Sequence, residues 1–320
     1  MNLKSQIAQA ARQLGFSALG VTGVEYDPVG HSKHIEWLNR GYQADMTYLE
    51  RGSRQRFDPR VHLGSARSVI VTAMNYYNRP KENPDRGYVS IYARGKNYHI
   101  VMRERIKLLC AEISKLTERE ITYKIFVDSG ALAEKPLAVK AGLGFIGRNA
   151  TLIIPKSKSE SGRFPLGSFH FLGVIITDLV LEPDTPAIGT CGQCRKCIEA
   201  CPTDAIVGDG IIDAARCISY QTTQNKGDVP DDVAAASGNI IFGCDICQTV
   251  CPYNSRAEET SEPDFQPWPG LINPQLTALN KLTPDEFEER FSESSIGEFK
   301  YTMFMRNIRI ALANILKTPG

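Results

Sequence analysis

The chain has 320 residues, a formal net charge of +1 and a hydrophobic content of 42%, which are ordinary values for a soluble globular protein of two domains. The near-neutral charge excludes the broad basic surface that tight, non-specific nucleic-acid binding requires. No apolar stretch follows a basic region near Met1. We therefore expect no signal peptide, no twin-arginine leader, no transmembrane span and a cytoplasmic location.

Apolar residues recur at helical or strand spacing through the first half of the chain. In chain order, the pattern predicts a helix over 3–14, a strand over 68–74, a helix over 98–116, a strand over 121–127, a helix over 132–141 and strands over 150–154 and 169–176. This mixture predicts an α+β fold that is large enough to enclose a substantial core and a large cofactor.

The nine cysteines are unevenly distributed, because only Cys110 precedes residue 190 and the others lie between 191 and 251. Thiols stay reduced in the cytoplasm, so the cysteines need a chemical role other than disulfide formation. Two prolines within 182–189 disfavour helix and interior strand and mark a domain boundary. The predicted units are 1–182, 183–260 and a partly helical segment over 261–320. Cys110 lies on an apolar helix and is predicted to be a buried core residue.

The cysteine spacing is typical of a bacterial ferredoxin. The first block is Cys191, Cys194, Cys197 and Cys201 followed by Pro202, which is the run C-x2-C-x2-C-x3-C-P. In this run the first three thiolates bind one 4Fe–4S cluster and the fourth binds the other.

The second block has the same ending but a displaced first cysteine: Cys217, then Cys244, Cys247 and Cys251 before Pro252. The ferredoxin crossover assigns Cys251 to the cluster of Cys191, Cys194 and Cys197. Cys201, Cys217, Cys244 and Cys247 then hold the second cluster. Structural zinc is the alternative, but zinc sites rarely combine three cysteines at successive x2 spacing with a Cys-Pro ending.

Several further segments resemble the epoxyqueuosine reductase family over nearly the whole chain. These segments are Arg94-Gly-Lys-Asn-Tyr-His99, Val127-Asp-Ser-Gly130, Glu134-Lys-Pro136, Ala141-Gly-Leu-Gly-Phe-Ile-Gly-Arg-Asn149, Arg216-Cys-Ile-Ser219 and Gly243-Cys-Asp-Ile-Cys-Gln-Thr-Val-Cys-Pro252. The resemblance implies a cobalamin-dependent iron–sulfur enzyme that reduces epoxyqueuosine to queuosine at the tRNA wobble position.

The same resemblance implies an organisation and a set of site residues. Residues 1–182 are expected to bind cobalamin and substrate on a fold similar to nitroreductase-like or cobalamin-trafficking proteins. A ferredoxin-like two-cluster domain and the start of C-terminal helical repeats are expected to follow. Asp128 matches the family's proton donor, and Lys226 resembles a tRNA contact. The positions that match cobalamin contacts are Arg56, Ser90, Asp128, Ala133, Arg148, Leu152, Ser219, Cys244 and Asp245.

The implied partners are the anticodon stem-loop of a tRNA carrying epoxyqueuosine and an external low-potential electron donor, either a ferredoxin or a flavodoxin. No membrane partner is expected, and the protein is expected to be a monomer. Arginines over 51–67 and a basic loop containing Lys156, Lys158 and Arg163 are the other basic groups that the sequence offers to RNA.

Asp128 can also be interpreted from its sequence context. It follows an apolar strand pattern and precedes Ser-Gly, so it is expected at a strand end over a loop, where catalytic groups collect. A carboxylic acid there would protonate the alkoxide that leaves when an epoxide opens. The alternative is a capping or turn Asp ahead of the helix over 132–141.

None of the five histidines stands in the Asp-x-His-x-x-Gly motif through which some proteins bind cobalt. We therefore expect no protein imidazole on the cobalt, and structural roles for His99 and His170. Two alternatives to the whole assignment remain open at this level. One is a cobalamin-dependent enzyme of the reductive dehalogenase type, and the other is a non-catalytic electron carrier of the ferredoxin type.

Overall fold

The computed structural model describes residues 2–79, 83–155 and 166–317. Its centre is a four-stranded antiparallel sheet with strand order β1-β2-β7-β4. These strands are β1 (Ala18–Thr22), β2 (Ser68–Asn75), β7 (His170–Thr177) and β4 (Tyr123–Phe126). The central strands β2 and β7 are long and rich in β-branched residues, which suit a sheet interior.

Helices cover both faces of this sheet, which explains why β2 is buried at every position except the last. Ile70 and Met74 of β2 pack towards helices α1 (Leu3–Gln13) and α4 (Tyr98–Leu116). The alternate residues Val69, Val71 and Ala73 pack towards the opposite face, which is covered by helix α5 (Glu134–Lys140). The two-residue period of the strand therefore separates two hydrophobic clusters.

Side-chain caps define where the two long helices begin. The Asn2 side chain accepts a hydrogen bond from the Ser5 backbone N–H at the start of α1, and Asn97 accepts one from His99 at the start of α4. Cys110 is 1% exposed on the buried face of α4, which confirms the prediction of a core residue.

The cysteine-bearing part of the chain is built from short helices and two-stranded sheets. Helix α6 packs against helix α9, and strand β10 pairs in parallel with β3 from the first half of the chain. The elements here are β3 (Tyr88–Val89), α6 (Lys196–Ala200), β8 (Ile206–Gly208), β9 (Ile211–Ile212), α7 (Ile218–Thr223), α8 (Asp231–Ala236), β10 (Ile240–Phe242) and α9 (Ile246–Thr249).

A third hydrophobic cluster joins the C-terminal helices to the β3–β10 pair. Its members include Val89 of β3, Ile241 of β10 and Ile308 of the last helix. A capping box formed by Thr283 and Glu286 starts one of these helices. The helices are α10 (Leu276–Leu279), α11 (Pro284–Phe291) and α12 (Tyr301–Lys317).

The predicted elements are largely confirmed. The helix and strand predictions in the first half each match an observed element within a few residues, and the mixed helix and strand class is correct. The prediction over 150–154 was too long, because only β6 (Leu152–Ile153) forms there, paired with β5 (Phe145–Ile146). Strand β1 and helix α2 (Pro28–Asn39) were not predicted.

Among the residues that the structure describes, no helix combines the length and the apolar character that crossing a membrane requires.

Candidate active site

A cavity of about 790 Å³ lies at the sheet edge where β2 and β4 end and β7 begins. This volume is at the upper end of the usual range for ligand pockets. Aromatic side chains form much of its wall, and charged side chains enter from two loops. The described lining residues are Tyr48, Leu49, Arg51, Arg56, Tyr76, Tyr92, Tyr98, residues 128–136, His170, Phe171 and Leu172.

Asp128 lies in this wall on a tight turn that follows β4. Its backbone φ is 52°, and the Ser129 N–H donates to the Val127 carbonyl at 2.5 Å, a three-residue bond that is typical of a γ-turn. The Tyr98 hydroxyl donates to Asp128 Oδ2 at 2.5 Å. Helix α5 begins only at Glu134 after Ala133, without a side-chain cap. The helix-cap alternative for Asp128 is therefore wrong.

Two ionisable residues at the start of α5 adjoin the Asp128 turn. The Asp128 backbone N–H donates to Glu134 Oε1 at 2.7 Å. Burial, and then the Asp128 carboxylate, raise the pKa of Glu134 to about 8. Lys135 Nζ donates to the Ala150 carbonyl at 2.8 Å, and burial lowers the pKa of this amine. At neutral pH the Glu134 carboxyl group is therefore largely protonated.

The aromatic wall is built from rings that pack closely on one another. The Tyr98 ring stacks on Phe171 with centroids 4.3 Å apart, and Tyr76 lies 4.3 Å from the same ring. Burial raises the pKa values of Tyr76 and Tyr98 well above the usual range, so both phenols stay protonated.

Two polar groups in the cavity wall have unused hydrogen-bonding capacity. Both ring nitrogens of His170 are buried and have no hydrogen-bond partner among the described residues, and Arg56 Nε is in the same situation. Burial lowers the pKa of His170 to about 4, so the ring is neutral and offers one donor and one acceptor. The sequence suggested only a structural role for His170 and gave no indication that this residue lines the cavity.

The first set of cysteines is brought together from two distant parts of the sequence. Burial raises the pKa of Cys251, and the nearby thiols of Cys191, Cys197 and Cys194 raise it further. The Arg148 backbone N–H donates to Cys191 Sγ at 3.4 Å. Such N–H···S contacts stabilise thiolates that bind iron and tune their reduction potential.

The second set is more deeply enclosed. Burial raises the pKa of Cys217 and of Cys244, and the pKa of Cys247 rises to about 12, again mainly through burial. Cys217 lies within electrostatic range of Cys201 and Cys244, and Cys247 lies within range of Cys217 and Cys201. These four cysteines are the ones that the crossover pattern assigns to the second cluster.

Tyr76 connects this second set to the cavity. It lines the cavity, and its pKa is raised by burial, by the Asp245 carboxylate and, to a smaller extent, by Cys247. Within the described part of the chain, no three His, Cys, Asp or Glu side chains are placed to hold a single metal ion.

The predicted cobalamin contacts fall into two groups. Arg56, Asp128 and Ala133 line the cavity, and the Arg56 guanidinium bridges its two loops by donating to the Gly130 and Tyr48 carbonyls. The other predicted contacts are absent from the described cavity lining. These are Ser90, Arg148, Leu152, Ser219, Cys244 and Asp245.

Most residues of this second group are engaged with neighbouring protein atoms. The Asp245 carboxylate is 1% exposed and accepts hydrogen bonds from Ser90 Oγ, Tyr88 Oη and the Ile91 backbone N–H. The Arg148 guanidinium donates to the Cys194 and Gly192 carbonyls in the first cysteine loop. Leu152 is buried under the sheet, and the Ser219 carbonyl accepts bonds within α7.

Lys226 is exposed on a loop that the last helix holds in place. The Arg306 guanidinium donates to the carbonyls of Gln221, Asn225 and Gly227, which flank Lys226 on both sides. Lys156, Lys158 and Arg163 lie outside the described residues.

Comparisons with known proteins decide the family. A family model described as "Epoxyqueuosine reductase QueG, DUF1730" matches residues 56–129, and one described as "4Fe-4S double cluster binding domain" matches 190–254. An epoxyqueuosine reductase of Atelocyanobacterium thalassa (isolate ALOHA) is 37% identical over 318 residues, which cover 98% of this chain and 100% of that protein. The chain belongs to the epoxyqueuosine reductase family.

Solved structures of family members have the same fold. The crystal structure of an epoxyqueuosine reductase with an epoxyqueuosine-modified tRNA-Tyr stem loop has a TM-score of 0.88 and 33% identity, and the match covers 98% of this chain and 81% of that one. A Bacillus subtilis epoxyqueuosine reductase, described with its aspartate-bearing catalytic loop swung out of the active site, also has a TM-score of 0.88. It is 32% identical, and the match covers 98% and 82% of the two chains.

Tyr76, Tyr98, Glu134 and His170 line the cavity of this family member but had no functional role in the sequence interpretation. Tyr98 and Glu134 lie in two of the segments that carry the family resemblance, but nothing in their spacing indicated that both contact Asp128. His170 begins an apolar strand and carries no motif. Only the packing of β7 against β2 brings it to the cavity.

Proposed function

We propose that this chain reduces epoxyqueuosine to queuosine at the wobble position of tRNA, with cobalamin bound in the cavity and two 4Fe–4S clusters held by the eight clustered cysteines. The observation that carries the proposal is the position of Asp128. Its carboxyl group lies in the wall of a large cavity whose far side adjoins the second set of cysteines through Tyr76. Full-length similarity to epoxyqueuosine reductases supports the same reaction.

The residues present fit both kinds of cofactor. The two sets of four cysteine thiols are each assembled from distant parts of the chain. They have the ligand number and softness that iron–sulfur clusters require. Cobalamin is a broad macrocycle edged with amide side chains. The cavity offers a large volume, aromatic walls and the unpartnered polar atoms of His170 and Arg56, which complement amide groups.

The proposed ligands follow from this arrangement. Arg56, Ala133 and Asp128 would contact cobalamin from the cavity loops, and Ser90, Arg148, Leu152, Ser219, Cys244 and Asp245 remain proposed contacts on the side of the cysteines. Cys191, Cys194, Cys197 and Cys251 would hold one cluster, and Cys201, Cys217, Cys244 and Cys247 the other. No histidine is assigned to the cobalt.

Removal of an epoxide oxygen as water consumes two electrons and two protons. When bound, the clusters supply single-electron transfer, and cobalamin supplies a centre that collects the two electrons. The protein must then deliver a proton to the oxygen as the C–O bond breaks, and we assign this role to Asp128. Tyr98 binds one carboxyl oxygen and fixes the orientation of the group.

The proposal also includes the wider organisation of the molecule. Residues 1–182 would form the cobalamin and substrate unit, on a fold similar to nitroreductase-like or cobalamin-trafficking proteins. Residues 183–260 would form the ferredoxin-like unit, and 261–320 the start of helical repeats. A tRNA anticodon stem-loop would contact Lys226, and a ferredoxin or flavodoxin would donate electrons to a cytoplasmic monomer.

The test is turnover of an anticodon stem-loop that carries epoxyqueuosine, with reconstituted clusters, a chemical reductant, and cobalamin either present or omitted. Mass spectrometry of the digested nucleosides should show queuosine only when cobalamin is present. Redox-active clusters without any queuosine would instead identify an electron carrier and would contradict the proposal.

A further inference from the structure

We propose that Glu134 is a positioning residue for the reaction: its carboxyl oxygen binds the Asp128 backbone N–H and holds the turn that presents the Asp128 carboxyl group to the cavity. This inference rests on the proposed function of Asp128. It assigns a role to a residue that neither the cysteine pattern nor the predicted cobalamin contacts include.

The turn at Asp128 is strained and therefore needs external support. A φ of 52° lies in the left-handed region that non-glycine residues rarely adopt, and the three-residue hydrogen bond from Ser129 to Val127 closes an unusually tight turn. Residues in such conformations persist only where the surrounding structure determines them. Without an anchor, the backbone would relax and move the carboxyl group.

Glu134 supplies the anchor at the strained residue itself. Its Oε1 accepts the Asp128 N–H at 2.7 Å, whereas the other contacts hold neighbouring groups. Tyr98 binds the Asp128 side chain, His99 Nδ1 donates to the Val127 carbonyl, and Arg103 donates to Ser129 Oγ. Among the described hydrogen bonds, Glu134 alone fixes the backbone of residue 128.

The anchor is mounted on a rigid element. Glu134 is the first residue of α5, and Leu137 and Ala138 of that helix are buried against the sheet that carries β2 and β7. A backbone N–H tied to this helix is therefore tied to the central sheet. The turn is thus tied to the sheet through α5 as well as through β4, which it directly follows.

The charge state of Glu134 suits this role. The charged groups that face it are Asp128, Lys135 and Arg103. Because burial and Asp128 raise its pKa to about 8, the group is largely neutral at pH 7 and still offers a carbonyl oxygen to the N–H. It can therefore hold the turn without placing a second full negative charge beside Asp128.

A matched pair of variants tests the proposal. Glu134→Gln keeps the carbonyl acceptor and removes the titrating proton, whereas Glu134→Ala removes the acceptor. Both place a neutral side chain at the first turn of α5 that cannot ionise, so any effect on the helix dipole is shared. Full-length variants with reconstituted clusters and bound cobalamin are compared with the wild type in single-turnover reduction of the epoxyqueuosine stem-loop.

Glu134→Ala should lower the single-turnover rate by roughly 10²-fold, the usual consequence of misplacing a reacting group by about 1 Å. Glu134→Gln should stay close to the wild-type rate. Amide hydrogen exchange over residues 126–131 should be faster in Glu134→Ala and unchanged in Glu134→Gln. A purely structural role in α5 would slow both variants equally or neither.

Equal loss of activity in the two variants would overturn the proposal, because it would show that the loss does not depend on the acceptor oxygen. Unchanged exchange in Glu134→Ala would overturn it as well. The exchange comparison does not depend on catalysis. If the wild-type protein failed to form queuosine, the proposed function would be wrong. Amide hydrogen exchange would still decide whether Glu134 holds the Asp128 turn.

Discussion

Residue 128 combines two features that rarely occur together: a carboxyl group at the wall of a large cavity and a backbone in the left-handed region. The sequence predicted a strand end and a loop at this point, and the structure confirms both. The partner of its carboxyl group comes from α4, thirty positions upstream, and the partner of its backbone N–H comes from α5. Local sequence patterns carry no information on such contacts between elements.

Replacement of Asp128 by Asn tests its role as the proton donor. The amide is nearly isosteric, so the variant should fold, bind cobalamin and accept electrons into both clusters. Its single-turnover rate should fall by about 10²–10⁴, the usual contribution of a positioned general acid. Asp285→Asn, which changes an exposed carboxylate on α11, is the matched control. A near-wild-type rate for Asp128→Asn, normalised to bound cobalamin, would remove Asp128 from the mechanism.

The raised pKa of Glu134 predicts a pH dependence of stability. The folded state holds this proton up to about pH 8, whereas the unfolded chain releases it near the ordinary value of 4.5. Between these values the native state binds more protons, so the contribution of Glu134 to stability is fully present below pH 4.5 and is lost as pH rises towards 8. The melting temperature of Glu134→Gln minus that of the wild type should therefore increase between pH 5 and pH 8 and stay constant above pH 8.

Thermal unfolding of both proteins under anaerobic conditions at pH 5, 7 and 9 measures this difference. A difference in melting temperature that stays constant over the range would show that the pKa of Glu134 is not raised.

At the scale of elements, the pattern of apolar residues was sufficient for helices that bury one regular face and for long strands that are buried on both faces. Helices α1 and α4 and strands β2 and β7 were predicted on this basis and are confirmed. Helix α2 has no buried residue, so it has no apolar stripe to detect. Strand β1 contains Gly20, where a Cβ atom would clash with the Ala141 carbonyl, and this close approach weakens the strand pattern.

The helices that carry the cysteines are too short for a hydrophobic period to be detected. Here the spacing of the cysteines, and not apolar residues, predicted which side chains lie together. Helices α6 and α9 pack together, and Cys251 beyond α9 lies with Cys191, Cys194 and Cys197. Ligand chemistry constrains the spacing of such motifs more tightly than hydrophobic burial does. The cavity residues Tyr76 and His170 carry no comparable spacing and could not be found in this way.

Loss of the Cys251 thiol tests the crossover. Cys251→Ala should disturb the cluster assigned to Cys191, Cys194 and Cys197 and leave the other intact, so the iron content should fall from about eight towards four per chain. Cys110→Ala removes a core thiol remote from both sets and should keep all the iron. Recovery of stoichiometric zinc without iron from anaerobically purified protein would contradict the assignment.

At the scale of the whole molecule, the two cysteine sets differ in their surroundings. The second set is deeply enclosed and adjoins the cavity through Tyr76, whereas Gly192, Gln193, Arg195 and Lys196 of the first loop are exposed. Cys247 also lies within electrostatic range of Cys197, so the two sets are neighbours in the fold. The arrangement favours entry of electrons at the first set and delivery to the cavity from the second.

The parts of the chain that build this route are interleaved. Strand β3 from the first half pairs with β10 between the cysteine blocks, and the C-terminal cluster includes Val89 of β3. The Arg306 contacts extend the same interleaving to the loop of Lys226. Sequence composition located the cysteine-rich unit but contained no sign of this strand pairing, because a two-residue strand has no detectable pattern.

Counting electrons against product tests the central claim most directly. Cobalamin-loaded protein with both clusters receives a limiting, known amount of dithionite under anaerobic conditions, together with excess epoxyqueuosine stem-loop, and queuosine is then quantified by mass spectrometry. We predict one queuosine for every two electrons delivered, with no product when cobalamin is omitted. Consumption of the electrons with the epoxide left intact, or formation of queuosine without cobalamin, would contradict the account.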